Sequence, residues 1–487
     1  MKTISNKIHE VFPELSFLKD PNNYSVFVGS NLPSFIKDYL VKKFVNVSGE
    51  LDIVGITKFL DEHIPAKGSD VLSKLRTDRI TLKLLTRFTI QTDIKKDCIR
   101  FSIPDLGINI NDGLIPDYVA SKQKDEFRDG EKWGVVTLVY QPPMERQPGY
   151  VELAKYTPFR PYHVDLEYFT ECRKRFTTDE WIDVLLSSME YDPEGYESLD
   201  QKIEFLTRLL IFVEPRLNMI ELAPKGTAKS YVFGNLSKYG WLCSGGKVSR
   251  AKLFYDKFRR QPGTFKHFDF VAFDEIQTIV FQDSSEIQAA LKSYLESGKT
   301  SIDNYEFISE CGLMLMGNIP LDRNNEPINP RYFDTLPSDF QESALLDRFH
   351  GFIEGWKLPR MRKDLILNDW CINVEYFTEI LHELRMANKY ALLVDELIEA
   401  PKDSDLRDLK AVKRLATAYM KLLFPHWSKI EDVNLDEFRI FCLTPALYRR
   451  GVIKEQCHMI DPEFKEDMPD IKLRNYNSPM QEHDIFE

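Results

Sequence analysis

One stretch restricts the fold of this chain more than any other: Glu221-Leu-Ala-Pro-Lys-Gly-Thr-Ala-Lys-Ser230. It follows an apolar, strand-like run, Leu217-Asn-Met-Ile-Glu-Leu222, and precedes a helix-like run, Ser230-Tyr-Val-Phe-Gly-Asn-Leu-Ser-Lys238. A strand, a tight loop ending in Lys-Ser and a helix make the layout of a phosphate-binding loop. Backbone N–H groups and the helix N-terminus cradle phosphates, the lysine reaches the terminal ones, and the serine hydroxyl turns to Mg²⁺. The pattern G-x-x-x-x-G-K-[ST] asks for glycine at 223 and 228, and alanine stands at both. Gly226, Lys229 and Ser230 remain. Ala228 is tolerated if that residue lies near helical geometry, and Ala223 must turn the chain without a positive φ. Alone, the stretch also fits a loop between a buried strand and a helix that carries a chance Lys-Ser pair.

The 487-residue chain has room for two to four domains with sizeable cores. No uninterrupted apolar stretch has membrane-spanning length, and the N-terminus lacks an apolar signal core. Seven scattered cysteines form no C-x-x-C pair, which fits a reducing cytoplasm and indicates neither a zinc site nor a disulfide framework. The net charge of −12 argues against coating nucleic acid by bulk charge, while leaving room for a local basic channel inside a ring.

Residues 1–75 read as a helical module, from runs such as Leu32–Phe44 and Leu51–His63. Residues 76–160 are β-rich, with strand candidates at 80–92, 97–103 and 133–140, and suggest a small barrel or sandwich, the oligonucleotide-binding type among them. Residues 161–198 read as a connector, with a helix at Thr178–Ser188, and the proline- and glycine-broken character begins at 150. Residues 199–360 alternate strands and helices, as an α/β domain with a mostly parallel sheet does, and 361–426 continue as a helical lid. Residues 427–487 read as a C-terminal tail.

Four further features follow the loop in order. Phe270-Val-Ala-Phe273 is a buried-strand run ending in Asp274 and Glu275, where one carboxylate can hold Mg²⁺ and the next polarise a water. Gly312-Leu-Met-Leu-Met-Gly-Asn318 is a second buried strand ending in an amide that can position that water. Ala344-Leu-Leu-Asp-Arg-Phe349 offers Arg348 to a neighbouring subunit's terminal phosphate, or else a plain Asp347–Arg348 surface pair. Leu406 to Leu423 is an amphipathic helix with Arg407 at its start. Each signal alone has a bland explanation; their order is that of the AAA+ ATPases.

The stretches 221–233, 244–256, 269–277 and 291–298 resemble the BrxL family, the Lon-like AAA+ proteins of BREX bacteriophage-defence systems. Gly226-Thr-Ala-Lys-Ser230, Leu345–Phe349 and Arg407–Leu415 are also similar to motifs of MCM replicative helicases, whose phosphate loop carries alanine before the lysine. The resemblance implies an AAA+ P-loop core with a helical lid, assembled as a hexameric ring or a stacked pair around DNA. It implies ATP between subunits, on Pro224, Lys225, Gly226, Thr227, Ala228, Lys229 and Ser230, with Ser230 and Asp274 on Mg²⁺. Glu275 then activates water with Asn318, Arg348 acts in trans, and Arg407 reports on the γ-phosphate. DNA contacts are expected at Lys299, in the position of an MCM-type hairpin, and at Lys257, Arg259 and Arg260, where basic residues alternate with Phe258 and Phe265. A solvated helix face is the alternative there. Longer BrxL proteins continue into a Lon-like protease domain. Only ~60 residues follow the lid here, below usual domain size, so no peptidase activity is expected. Other BREX components are expected partners, and no membrane is. Two other classes remain: a Lon-related protein unfoldase working with a separate peptidase, and an ATP-binding assembly platform with little turnover, suggested by Ala223.

Overall fold

The computed structural model describes residues 4–474, apart from 28–31, 46–50, 65–70, 79, 94–95, 123–126, 128–129, 145–147, 159–163, 258–260, 283 and 303. The chain forms two compact units, residues 20–163 and residues 1–19 with 164–487. The first 19 residues thus leave the helical module that the sequence suggests. Strand Ser16–Leu18 pairs antiparallel with Trp370–Ile372 of the larger unit.

In the smaller unit, helices Ser34–Phe44 and Ile53–His63 precede a closed five-stranded barrel. Its strands are β1 (Leu82–Asp93), β2 (Cys98–Ile103), β3 (Ile108–Ile115), β4 (Gly130–Gln141) and β5 (Tyr150–Pro158). The order is β1-β2-β3-β5-β4, with β4 closing on β1 and β3–β5 the one parallel pairing. An oligonucleotide-binding-type barrel shares this arrangement. Alternation sends Leu84, Phe88, Phe101, Val136, Leu138 and Leu153 inward. Strand β5 corrects the reading of residues 150–160 as broken connector. Val151 and Leu153 are buried two apart and Tyr156 is buried after a register shift against β4, an alternation that the bulge, the flanking prolines and Gly149 mask.

In the larger unit the sheet strands are β6 (Asn218–Ala223), β7 (Gly240–Val248), β8 (Phe270–Phe281), β11 (Gly312–Asn318) and β12 (Gly351–Glu354), with a hairpin β9 (Lys299–Ile302) and β10 (Tyr305–Ile308) inserted before β11. The sheet is wholly parallel, in the order β12-β6-β11-β8-β7. Helices cover both faces, so β6 is buried along its whole length. An order that reverses around β6 and β11 opens a crevice at the strands' C-terminal ends, where ligands of such sheets bind.

Five helices matter below: α1 (Leu199–Leu206), α2 (Lys229–Asn235), α3 (Ser284–Ser297), α4 (Leu406–Leu423) and α5 (Thr444–Ile460). Helix α5 lies in the stretch read as tail. It packs on β12, and its Arg449 reaches Glu204 of α1 at 2.5 Å with both groups buried. A run of buried Arg449, Arg450 and Lys454 looks polar in sequence and hides a structural helix. Residues 475–487 lie outside the described residues. No helix among the described residues is long and apolar enough to cross a membrane.

Candidate nucleotide site

Strand β6 delivers the phosphate loop at its C-terminal end. Ala223 is still part of the strand, so it needs no positive φ. Its methyl group fits because residue 355 is glycine: a Cβ there would stand 2.3 Å from the Ala223 Cβ. Gly226 takes φ 85° with nothing within 4 Å of where its Cβ would be, so backbone conformation alone selects glycine.

Ala228 departs from expectation. It is not near helical geometry but left-handed, at φ 64° and ψ 18°. An L-residue there costs roughly 1–2 kcal/mol, so the surroundings must impose it. They do so at two successive carbonyls. Met361 donates its N–H to Gly226 O at 2.8 Å, and Arg208 donates Nη1–H to Thr227 O at 2.8 Å. Arg208, in the 3₁₀ turn Thr207–Leu209, is itself held by Glu221 through a bidentate pair of 3.0 and 2.5 Å. Both side chains are fully buried beneath the loop.

Helix α2 starts at Lys229. Its Nζ folds back and donates to Ala223 O and Pro224 O, each at 3.2 Å. Burial pushes its pKa down, with Arg208 adding to the effect and Glu221, Asp274 and Glu275 opposing it. Ser230 Oγ donates to Asp274 Oδ2 at 2.5 Å. These two oxygens, one hydroxyl and one carboxylate, suit a Mg²⁺ ion that keeps its remaining coordination for phosphate and water.

Strand β8 carries Asp274 buried and then breaks register against β7 between Asp274 and Ile279. Glu275 sits in that bulge at φ 49°, exposed, with its N–H on Asp274 Oδ1 at 2.9 Å. Bulges re-aim side chains, and this one turns Glu275 out of the strand's alternation. Gln277 clasps the backbone of Asn318, donating Nε2–H to its carbonyl at 2.9 Å and accepting its N–H at 3.4 Å. A cavity of about 920 Å³ opens between these strand ends, lined by Pro224, Lys225, Glu275, Asn318, Asp322 and Arg360 among others.

Arg348 and Arg407 do not line that cavity. They meet each other instead, on Glu296 at the end of α3. Arg348 Nε lies 3.3 Å and Arg407 Nη2 2.9 Å from Glu296 Oε2. Arg348 also donates to Ala344 O, and Arg407 pairs with Asp347. The simple Asp347–Arg348 pair is therefore not what forms. Asp347 turns to Arg407 and to Arg450, 2.5 Å away. Burial alone would raise the Asp347 carboxyl, but Arg450 and Arg407 outweigh it and hold the pKa below its ordinary value.

The two expected DNA elements come together. Tyr255–Asp256 pairs with Gln261–Pro262 as a short hairpin, and Tyr255 stacks on Tyr305 of β10 at 3.9 Å. Lys257 is exposed, while Phe258, Arg259 and Arg260 lie outside the described residues. Phe265 is fully buried, so it offers no stacking surface, and Lys266 is engaged with Ile308 O at 2.9 Å. Lys299 is exposed but pairs with Ile308 at the open end of the β9–β10 hairpin, away from its tip.

Sequence reasoning missed Arg208, Gln277, Glu296 and Arg360. Arg208 lies in an apolar helical run, where a lone arginine facing inward signals a buried acid. Gln277 stands at the period-two position after Glu275. The other two carry no local signal.

Residues 151–470 match the family described as Lon-like protease BrxL-like, ATPase domain, and residues 10–140 match the BREX system Lon protease-like protein BrxL N-terminal family. The Lon-like protease BrxL of Escherichia coli O9:H4 (strain HS) is 29% identical over 436 residues, covering 88% of this chain and 61% of that protein. The Lon-like protease BrxL of Bacillus cereus (strain H3081.97) is 28% identical over 440 residues, covering 89% and 63%. The chain thus spans less than two thirds of the length of these curated relatives.

Proposed function

The chain belongs to the BrxL family, and from that premise we propose that it is an AAA+ ATPase that assembles as a ring, binds DNA and couples ATP hydrolysis to DNA binding or translocation in BREX-type antiviral defence. One observation carries the ATPase reading. Ser230, after β6, meets Asp274 of β8, and Glu275 and Asn318 line one cavity with Pro224 and Lys225 of the loop.

In that reading Lys229 leaves the carbonyls of Ala223 and Pro224 for the phosphates of ATP. Ser230 and Asp274 would hold Mg²⁺, which would supply positive charge against the phosphate oxygens. Glu275 accepts a proton from a water held by Asn318, the water oxygen bonds to the terminal phosphorus, and the bond to the bridging oxygen breaks. Arg348 and Arg407 act on a neighbouring subunit's nucleotide after exchanging Glu296 for phosphate. Their shared position on Glu296, outside the crevice of their own subunit, supports a role in trans. The barrel topology and the paired hairpins at Tyr255 and Tyr305 support a DNA-facing role, with Lys257 and Lys299 as contacts. Arg259 and Arg260 belong to the same proposed loop. Seven free cysteines fit work in the reducing cytoplasm.

The relatives' Lon-like name supports a second reading, an ATP-dependent protein unfoldase. ATP hydrolysis by the purified chain, measured alone, with duplex DNA, with single-stranded DNA and with unfolded protein, separates the two. Stimulation by DNA that Glu275→Gln abolishes is the expected result. Stimulation by unfolded protein alone selects the unfoldase, and no turnover under any condition ends both readings.

A further inference from the structure

The crevice contains a cation that neither the phosphate-loop pattern nor the trans arginines account for. After β12 the chain crosses the end of β6. Gly355 lies against Ala223, closely enough that no side chain fits between them. Six residues on, Met361 donates its N–H to Gly226 O at 2.8 Å. The segment is therefore tied at both ends to the phosphate loop, and Pro359 stiffens what lies between. Arg360 sits in this tied segment. Its position relative to residues 223–226 is set by backbone contacts of the same subunit.

Its side chain is exposed and lines the same cavity as Glu275 and Asn318, where Lys225 and Arg360 are the two cations among the described lining residues. The other cations nearby are committed. Arg362 forks onto Asp364 at 3.0 Å and also reaches Gly195 O, and Lys357 pairs with Glu354. Arg360 makes no hydrogen bond or ion pair among the described residues. A guanidinium left unpaired in the cavity that Glu275 also lines, on a segment fixed to the loop proposed to hold phosphates, presents a planar set of donors suited to phosphate oxygens.

We propose that Arg360 contacts the terminal phosphate of the nucleotide bound by its own subunit, giving each site an arginine in cis beside the two supplied by the neighbour. The inference rests on the ATPase reading above. It makes Arg360 a discriminator between ATP and ADP, because the terminal phosphate is present only in ATP.

The test measures binding of fluorescent ATP and ADP to the full chain in a Glu275→Gln background, which keeps ATP intact. Arg360→Ala is expected to weaken ATP binding about tenfold, the scale of one charge-assisted hydrogen bond, with ADP binding unchanged. Arg360→Lys is expected to recover part of the loss, since it keeps the charge without the fork. Equal weakening for both nucleotides, or no change for either, overturns the proposal. Mixing decides the cis assignment. At an ATP concentration that fills unmodified sites but leaves Arg360→Ala sites mostly empty, Arg360→Ala subunits mixed with Glu275→Gln subunits contain no subunit with both groups, so hydrolysis stays low; recovery overturns it. Lys229→Ala serves as the control for the site itself. If Lys229→Ala keeps full ATP affinity, the nucleotide site fails and Arg360 with it. If Lys229→Ala loses ATP while Arg360→Ala keeps its ATP-to-ADP ratio, only the Arg360 assignment fails.

Discussion

The phosphate-loop half and the arginine half of the proposed site are held by opposite means. Beneath the loop, Arg208 and Glu221 are fully buried and bonded to each other and to Thr227. At the other half, Arg407 is 34% exposed and Arg348 19% exposed, and both lean on Glu296, itself 40% exposed. A buried pair has no competing partner, so the loop takes its left-handed turn at Ala228 as part of folding. An exposed pair exchanges partners at little cost, so the arginines can leave Glu296 when a neighbour's phosphate comes within reach. In the proposed function, one half is completed by folding and the other by assembly.

The largest effect that can break this contrast is kinetic. Arg348→Ala is expected to lower ATP turnover by about 10³–10⁵-fold while leaving the unfolding midpoint unchanged. A loss of stability instead would mean that Arg348 is structural. On the buried side, Arg208→Ala leaves the Glu221 charge unpaired and should cost about 3–5 kcal/mol of stability, read by denaturant unfolding. A loss under 1 kcal/mol would show that the pair does not set the loop.

Titration sharpens the contrast further. His350 accepts the N–H of Asn218, the first residue of β6, at 3.0 Å. Burial, above all, pushes its pKa well below 6.5, with Arg414 and Arg450 adding to it. The folded pKa lies under the unfolded one, so His350 is neutral in both states above that value and contributes no pH dependence. As pH falls below 6.5 the unfolded chain takes up a proton that the folded chain refuses. Stability should then fall by up to about 1.4 kcal/mol per pH unit. Melting against pH, compared with His350→Gln, checks this; equal slopes would contradict it.

Two smaller effects remain. Ala228→Gly relieves the left-handed strain and should stabilise by about 1 kcal/mol or less, since glycine also loses more backbone entropy. Glu296→Gln should change stability by less than about 1 kcal/mol yet raise turnover at low protein concentration, by releasing both arginines. A large loss of stability would place Glu296 among the structural acids.

What the sequence revealed divides along the same line. Strand ends are legible because an apolar run followed by a polar residue is a local pattern, so β6, β8 and β11 can be read directly, and with them the places of Lys229, Ser230, Asp274, Glu275 and Asn318. The conformation of Ala228 cannot, because distant groups, Arg208 and Met361, impose it. Helix α5 was hidden for a related reason. Its buried Arg449, Arg450 and Lys454 meet acids brought from Glu204, Asp347 and Asp408, and without them the segment reads as solvated. Glu296 looks like any acid at the end of a surface helix until two arginines arrive from 50 or more residues away.

The claim that the site is finished by a neighbour is tested most directly by mixing two inactive variants, Glu275→Gln and Arg348→Ala, and measuring ATP hydrolysis. In mixed rings some interfaces pair an intact Glu275 with an intact Arg348, and turnover should return to a substantial fraction of that of the unmodified chain. If the mixture stays as inactive as its components while each still binds ATP and assembles, the two groups act within one subunit and the account is wrong.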